Sequence, residues 1–175
     1  MTSFLINFFG IAGIVTTVII YQQKENKNLL LWKITTDLIW IVHYAANGNY
    51  SVVAITLVAI LRSIVLLNAD KDWARHRFWL PVFIACSLIF SAIAWKDWTS
   101  LLTVLSSILC IAAYWVRIPR ITRLLSIPAA VLFLMNIAFN FSFWGFICES
   151  FLLASAIVGF LRLDLPYYRN ALKRS

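Results

Sequence analysis

Seven long apolar runs mark the chain, at residues 4–21, 29–46, 51–69, 78–95, 99–116, 124–141 and 143–162. Short polar connectors separate them. The runs are continuous rather than alternating, which predicts helices and not strands. Each is about as long as a helix needs to cross a bilayer, where a helix can satisfy its own backbone groups. The pattern therefore predicts an all-α membrane protein with seven transmembrane helices. The sixth and seventh runs nearly meet at Asn140-Phe141-Ser142, which leaves room only for a tight turn.

Composition narrows the class further. Of 175 residues, 62% are hydrophobic and 13% charged. A soluble domain carries about a quarter charged residues, and a globule of this size could not hide so much apolar surface. Seven spans of about 20 residues also leave no length for a separate soluble domain. The opening Thr2-Ser3-Phe4-Leu5 has no basic segment and no small-residue cleavage site, so residues 4–21 read as a retained helix rather than a signal peptide. Cys86, Cys110 and Cys148 all lie inside apolar runs. An odd number without paired spacing argues against a disulfide framework or a zinc site, and no metal or cofactor is expected.

The charges carry an orientation. Lysine and arginine number 15 against 7 acids. The odd-numbered connectors and the tail hold Lys24, Lys27, Lys71, Arg75, Arg77, Arg117, Arg120, Arg123, Arg169, Lys173 and Arg174. Lys33, Arg62 and Arg162 sit just inside the same helix ends. Only Lys96 falls on the other side, so 14 of the 15 basic residues share one face. The positive-inside rule then places the N-terminus outside and the C-terminus in the cytoplasm. Trp32, Trp73, Trp79 and Trp115 fall near the cytoplasmic helix ends, and Trp95, Trp98 and Trp144 near the outer ends, as interfacial rings do. Trp40 alone falls in mid-helix. The expected partner is thus the lipid bilayer, with the basic tail on anionic headgroups. Without a basic stripe interleaved with exposed aromatics, no nucleic acid is expected.

A shift of 93 residues lays the first three runs on the last three without a gap. Tyr21 then meets Tyr114, Lys24 meets Arg117, Lys27 meets Arg120, Trp40 meets Phe133, His43 meets Asn136 and Asn47 meets Asn140. Both copies begin on the outer side, so the repeats are parallel. The resulting plan is 3+1+3: a first triple-helix bundle at 1–70, a linker with helix four at 71–97, a second bundle at 98–163 and a basic tail at 164–175. Transporters built on parallel repeats bind their solutes near the midplane between the halves.

Ionisable side chains inside a bilayer usually face the bundle interior. Helix two carries Lys33, Asp37, Trp40, Tyr44 and Asn47, spaced four, three, four and three, which puts all five on one stripe flanked by Thr36 and His43. The matching stripe of helix six, Ser126, Ala130, Phe133, Ile137 and Asn140 with Asn136 beside it, is less polar. Trp40, Tyr44, Asn47, Asn136 and Asn140 are the candidate lining of a solute site. Aromatic faces and amides suit an uncharged or ring-bearing solute such as a sugar or nucleoside. By depth, Asp37 could pair with Arg62; Lys33 at i−4 competes for Asp37, and Arg62 could instead snorkel to headgroups. His43 and Glu149, from different repeats, could meet near the outer side as a proton-linked gate. Pro128 could hinge helix six. No hydrolase, zincin or phosphate-loop motif is present, so an enzyme is not expected.

The sequence Trp40-Ile-Val-His43-Tyr44 with Asn47-Gly48, together with Ala59-Ile-Leu-Arg62-Ser63 and Glu149-Ser150-Phe151-Leu152-Leu153 running to Arg162, resembles the YgjV family of bacterial inner membrane proteins. That family is related more distantly to the SWEET and PQ-loop transporters. The resemblance spans nearly the whole chain and implies a bacterial inner-membrane location, a SWEET-like arrangement of two triple-helix bundles, and transport of a small solute. The chain departs from the PQ-loop pattern, having Gln22-Gln23 in one repeat and Pro119-Arg120 in the other where a Pro-Gln pair would fall. Two readings of function follow: a transporter of a small polar solute, or a non-transporting membrane scaffold or accessory subunit. Either could work as a homodimer.

Overall fold

Each apolar run forms one long helix. A computed structural model describes residues 2–48, 50–93, 95, 97–139 and 143–172. Among them the long helices are α1 (Thr2–Ile20), α2 (Asn26–Ala46), α3 (Tyr50–Leu67), α5 (Trp79–Ile93), α6 (Ser100–Trp115), α7 (Pro119–Phe139) and α8 (Phe143–Gly159). A single turn, α4 (Asp72–Arg75), interrupts the linker before α5. After α8 one π-helical turn, Phe160–Asp164, leads into α9 (Leu165–Leu172), so the start of the basic tail is helical. No strand occurs among the described residues.

The largest shift from the expected boundaries is at α7, which begins at Pro119 rather than at 124. Proline suits the first helical position, since its fixed φ is helical and its missing N–H would be unpaired there anyway. Just before it, Arg117 takes the left-handed conformation, φ 58°, and turns the chain out of α6. Arg120 and Arg123 therefore ride on the helix instead of a connector. Pro128 lies inside α7, which continues through it to Phe139.

Two helical segments, Pro119–Phe139 and Gly145–Tyr167, are long and apolar enough to cross a membrane. The apolar helices Ile6–Ile20, Ile55–Leu67, Trp79–Ile93 and Ser100–Trp115 are shorter.

The packing order is a ring. α1 packs on α2, α2 on α3, α3 on α5, α5 on α6, α6 on α7, α7 on α8, and α8 returns to α1. The outward faces are apolar: Phe8, Ile11 and Val15 on α1, Leu38 and Val42 on α2, Leu57 and Leu61 on α3, Ile89 and Ile93 on α5, Leu101 and Leu105 on α6, and Val131 and Met135 on α7 are all exposed. So broad an apolar surface is unstable in water and fits lipid contact.

One end of the ring is plugged. Ile20, Tyr21, Leu29, Leu30, Leu66, Tyr114 and Ala156 form a buried cluster there, with Trp32, Leu67, Trp115, Ile127 and Leu152 packed around it. A buried ion pair locks the α1–α7–α8 corner of this plug. The Arg123 guanidinium donates to both carboxylate oxygens of Asp164, at 2.7 and 2.8 Å. Its remaining nitrogen donates to the Gln23 carbonyl at 2.8 Å and the Tyr21 carbonyl at 3.4 Å. Those carbonyls lie in the turn just after α1 and have no helical partner of their own. Gly159 permits the contact, since a Cβ there would lie 2.4 Å from the Tyr21 oxygen.

Candidate functional site

Above the plug the ring encloses a cavity of about 370 Å³, to which all seven long helices contribute. Binding pockets for small molecules begin at about 300 Å³. On α2 the lining residues Lys33, Asp37, Trp40 and Tyr44 follow helical spacing, with Thr36 beside them. On α6 the same spacing carries Thr103, Ser107, Cys110 and Tyr114. Thr17 and Tyr21 come from α1, Thr56 and Arg62 from α3, Ser87 and Ser91 from α5, Ser126 and Phe133 from α7, and Cys148 and Glu149 from α8. From Lys33 to Tyr44 the lining rises roughly 16 Å, at the helical 1.5 Å per residue.

The polarity is inverted relative to a soluble fold: hydroxyls and charges point in, hydrocarbon points out. Several hydroxyls donate to carbonyls, which anchors each oxygen while leaving lone pairs for a solute. Thr17 donates to the Gly13 carbonyl and Thr56 to that of Val52, both at 2.8 Å. Ser106 bridges α6 to α7 by donating to the Ala129 carbonyl at 2.7 Å. The Thr36 hydroxyl, on a residue 3% exposed, has no hydrogen-bond partner.

The floor is made by residues that the 93-residue shift equates. The hydroxyls of Tyr21 and Tyr114 lie 3.3 Å apart in a hydrogen bond. The Arg62 guanidinium sits 5.5 Å from the centre of the Tyr114 ring. Further up, the correspondence continues around the wall: Thr17 and Cys110, Lys33 and Ser126, Asp37 and Ala130, Trp40 and Phe133, Thr56 and Glu149 all line the same cavity.

The expected site residues separate into three groups. Trp40, Tyr44, Asp37, Arg62 and Glu149 all face the cavity. Trp40 and Tyr44 stack with centroids 5.4 Å apart, and Trp40 lies against Gly13, whose absent Cβ would come within 2.8 Å of the indole. Asn47 and Asn136 face elsewhere. The Asn47 amide donates to the His43 carbonyl at 2.8 Å, and that of Asn136 to the Thr99 carbonyl at 2.8 Å, so each serves a helix end. Asn140 lies outside the described residues.

Two expected contacts are replaced. Asp37 is neutralised by Lys33, one turn earlier on α2, and not by Arg62. An i,i+4 partner needs no second helix to bring it near, so it takes the carboxylate first. His43 does not reach Glu149; its Nδ1 is bonded to the Ile6 carbonyl at 2.9 Å, and its ring packs against Trp40 and Tyr44. The backbone carbonyl on α1 thus takes the Nδ1 side of the imidazole.

The serines and threonines of α5 and α6 went unnoticed in the sequence reading, as did the Arg123–Asp164 pair. The hydroxyls had a signal: Ser87 and Ser91 are four apart, and Thr103, Ser107 and Cys110 repeat at four and three, a polar stripe within otherwise apolar helices.

The family model Imp-YgjV, described as a bacterial inner membrane protein, matches residues 4–166. No curated protein and no solved structure matches the chain.

Proposed function

The chain belongs to the Imp-YgjV family of bacterial inner membrane proteins, and on that premise we propose that it is a transporter of a small polar solute, which binds in the cavity inside the helix ring. One observation carries this reading: a hydroxyl- and charge-lined cavity of about 370 Å³ within a ring whose outer face is hydrocarbon. Polar residues are expensive in a bilayer and face a pathway or a site where they occur.

In this reading all seven long helices cross the membrane, the shorter ones with snorkelling flanks or a locally thinned bilayer. The basic faces set the N-terminus outside and the C-terminus in the cytoplasm. The 3+1+3 plan is supported by the ring order. α1, α2 and α3 are consecutive neighbours, as are α6, α7 and α8. α8 meets α1 directly, while α5 stands between α3 and α6. That is what a linker helix inserted at one of two equivalent seams would do. The hydrogen bond between Tyr21 and Tyr114 supports a two-fold relation as well, because equivalent residues can touch only near the axis. With its cytoplasmic end held by these tyrosines, the ring is closed inward. Transport then requires their hydroxyls to part and the outer end to close, the rocking of like-oriented halves about a central site.

A scaffold would pack the same interior dry, and the two readings separate experimentally. Single cysteines are placed at Ser107 and, as a lipid-facing control, at Leu105 in a protein whose native cysteines are replaced. Membrane vesicles are then treated with a cationic, water-soluble thiol reagent. A hydrated pathway labels position 107 much faster than position 105. Equal, slow labelling of both would exclude transport through this cavity.

A further inference from the structure

The charges inside the cavity are not all paired. Lys33 and Asp37 form one ion pair. Arg62 and Glu149 remain, and among the described residues neither has an ion pair or hydrogen bond to the protein. The Arg62 Nε–H is buried without an acceptor. Both side chains line the one cavity, from α3 and α8. Tyr114 lies against the guanidinium, its ring centre 5.5 Å away, and offers it no hydrogen-bond acceptor.

An unpaired charge away from water is costly unless something compensates it. A guanidinium edge donates to a planar carboxylate in bidentate fashion. A carboxylate accepts from an ammonium in the same way. A cavity near the lower size limit for a ligand site, with one donor fork and one acceptor fork in its wall, fits a small molecule carrying both charges. We infer that the solute is a zwitterion of the α-amino acid type, its carboxylate held by Arg62 and its ammonium by Glu149. This names the solute class of the transport reading and rests on that reading for its physiological meaning, but binding itself can be tested without transport.

The test uses the purified full-length protein in detergent. Melting temperatures are measured against a panel of the L-α-amino acids, each compared with its carboxamide, which lacks the anion, and its des-amino acid, which lacks the cation. D-glucose and uridine serve as neutral probes. A ligand that binds the folded state raises the melting temperature. At least one amino acid is expected to do so saturably, and its two analogues to fail. Arg62→Gln and Glu149→Gln should each weaken that binding by about tenfold or more, the loss of one charge-assisted contact. The empty double variant should melt no lower than the wild type, because two uncompensated charges are gone. If either single variant does not fold, the analogue series on the wild type decides alone. Binding of glucose or uridine equally by wild type and double variant overturns the inference, as does full binding of either single-charge analogue, or no response to any amino acid. Uptake of a neutral solute into proteoliposomes without zwitterion binding would sink this inference and leave transport standing. Zwitterion binding without uptake would do the reverse.

Discussion

Removing Arg123 while leaving Asp164 should nearly unfold the protein at the α1–α7–α8 corner. Arg123 is 2% exposed and Asp164 1%. Their bidentate contact at 2.7 and 2.8 Å is accompanied by the bonds from Arg123 to the carbonyls of Gln23 and Tyr21. Arg123→Met keeps the apolar stem and deletes every one of these donors. The buried Asp164 carboxylate is then uncompensated, which costs about 3–5 kcal/mol. Adding Asp164→Leu removes that charge and should recover most of the loss. What remains is the price of two unmet carbonyls, about 1–3 kcal/mol if water cannot reach them. The double variant is therefore expected to be more stable than Arg123→Met alone, with a coupling of about 2 kcal/mol or more in the cycle. Thermal unfolding in detergent, followed by tryptophan fluorescence, measures all four proteins. Two additive single effects, or an Arg123→Met variant within about 0.5 kcal/mol of wild type, the range of ordinary surface changes, would refute the reasoning.

Two further outcomes follow from the site. Gly13→Ala puts a Cβ at 2.8 Å from the Trp40 indole and should destabilise by about 1–3 kcal/mol as an overpacked contact; Trp40→Phe in the same chain should restore the melting temperature, and failure to do so would mean that the indole is not the obstacle. Lys33→Met strips Asp37, 7% exposed, of its cation and should lower the melting temperature, while Asp37→Asn added to it should return most of the loss; an additive pair in that unfolding cycle would show that the two charges do not depend on each other.

How much of this was legible in the sequence depended on whether the cause was local. The seven long helices follow from run length and hydropathy, which are properties of single segments. The α2 stripe was legible for the same reason: Lys33, Asp37, Trp40 and Tyr44 share a face by spacing alone, and all four line the cavity. Partner choice was not legible. Depth estimates made Arg62 a reasonable partner for Asp37, but depth cannot say which way around a helix a side chain leaves, and Lys33 was already one turn away. The bonds of Asn47 and Asn136 were not legible either, because an amide near a helix end can serve a carbonyl as readily as a solute, and only the fold decides between them. Arg123 reads as a connector charge when the start of α7 is placed at 124; with Pro119 as the first helical residue, Arg123 falls on the second turn, inside the corner that Asp164 reaches from the π-helical turn after α8.

The repeat and the charges together say something about how such a cavity would work. The equivalent positions that build its frame match in kind: Tyr21 with Tyr114 at the floor, Trp40 with Phe133 on the wall. The equivalent positions that carry charge do not match. Lys33 corresponds to Ser126, Asp37 to Ala130, Thr56 to Glu149, and Arg62 to Ser155. A solute bound by symmetric groups would have two equivalent orientations and no fixed polarity. Concentrating Arg62 and the Lys33–Asp37 pair on one half, and Glu149 on the other, would break that degeneracy: in the proposed reading a dipolar solute would fit one way round and hold both halves at once.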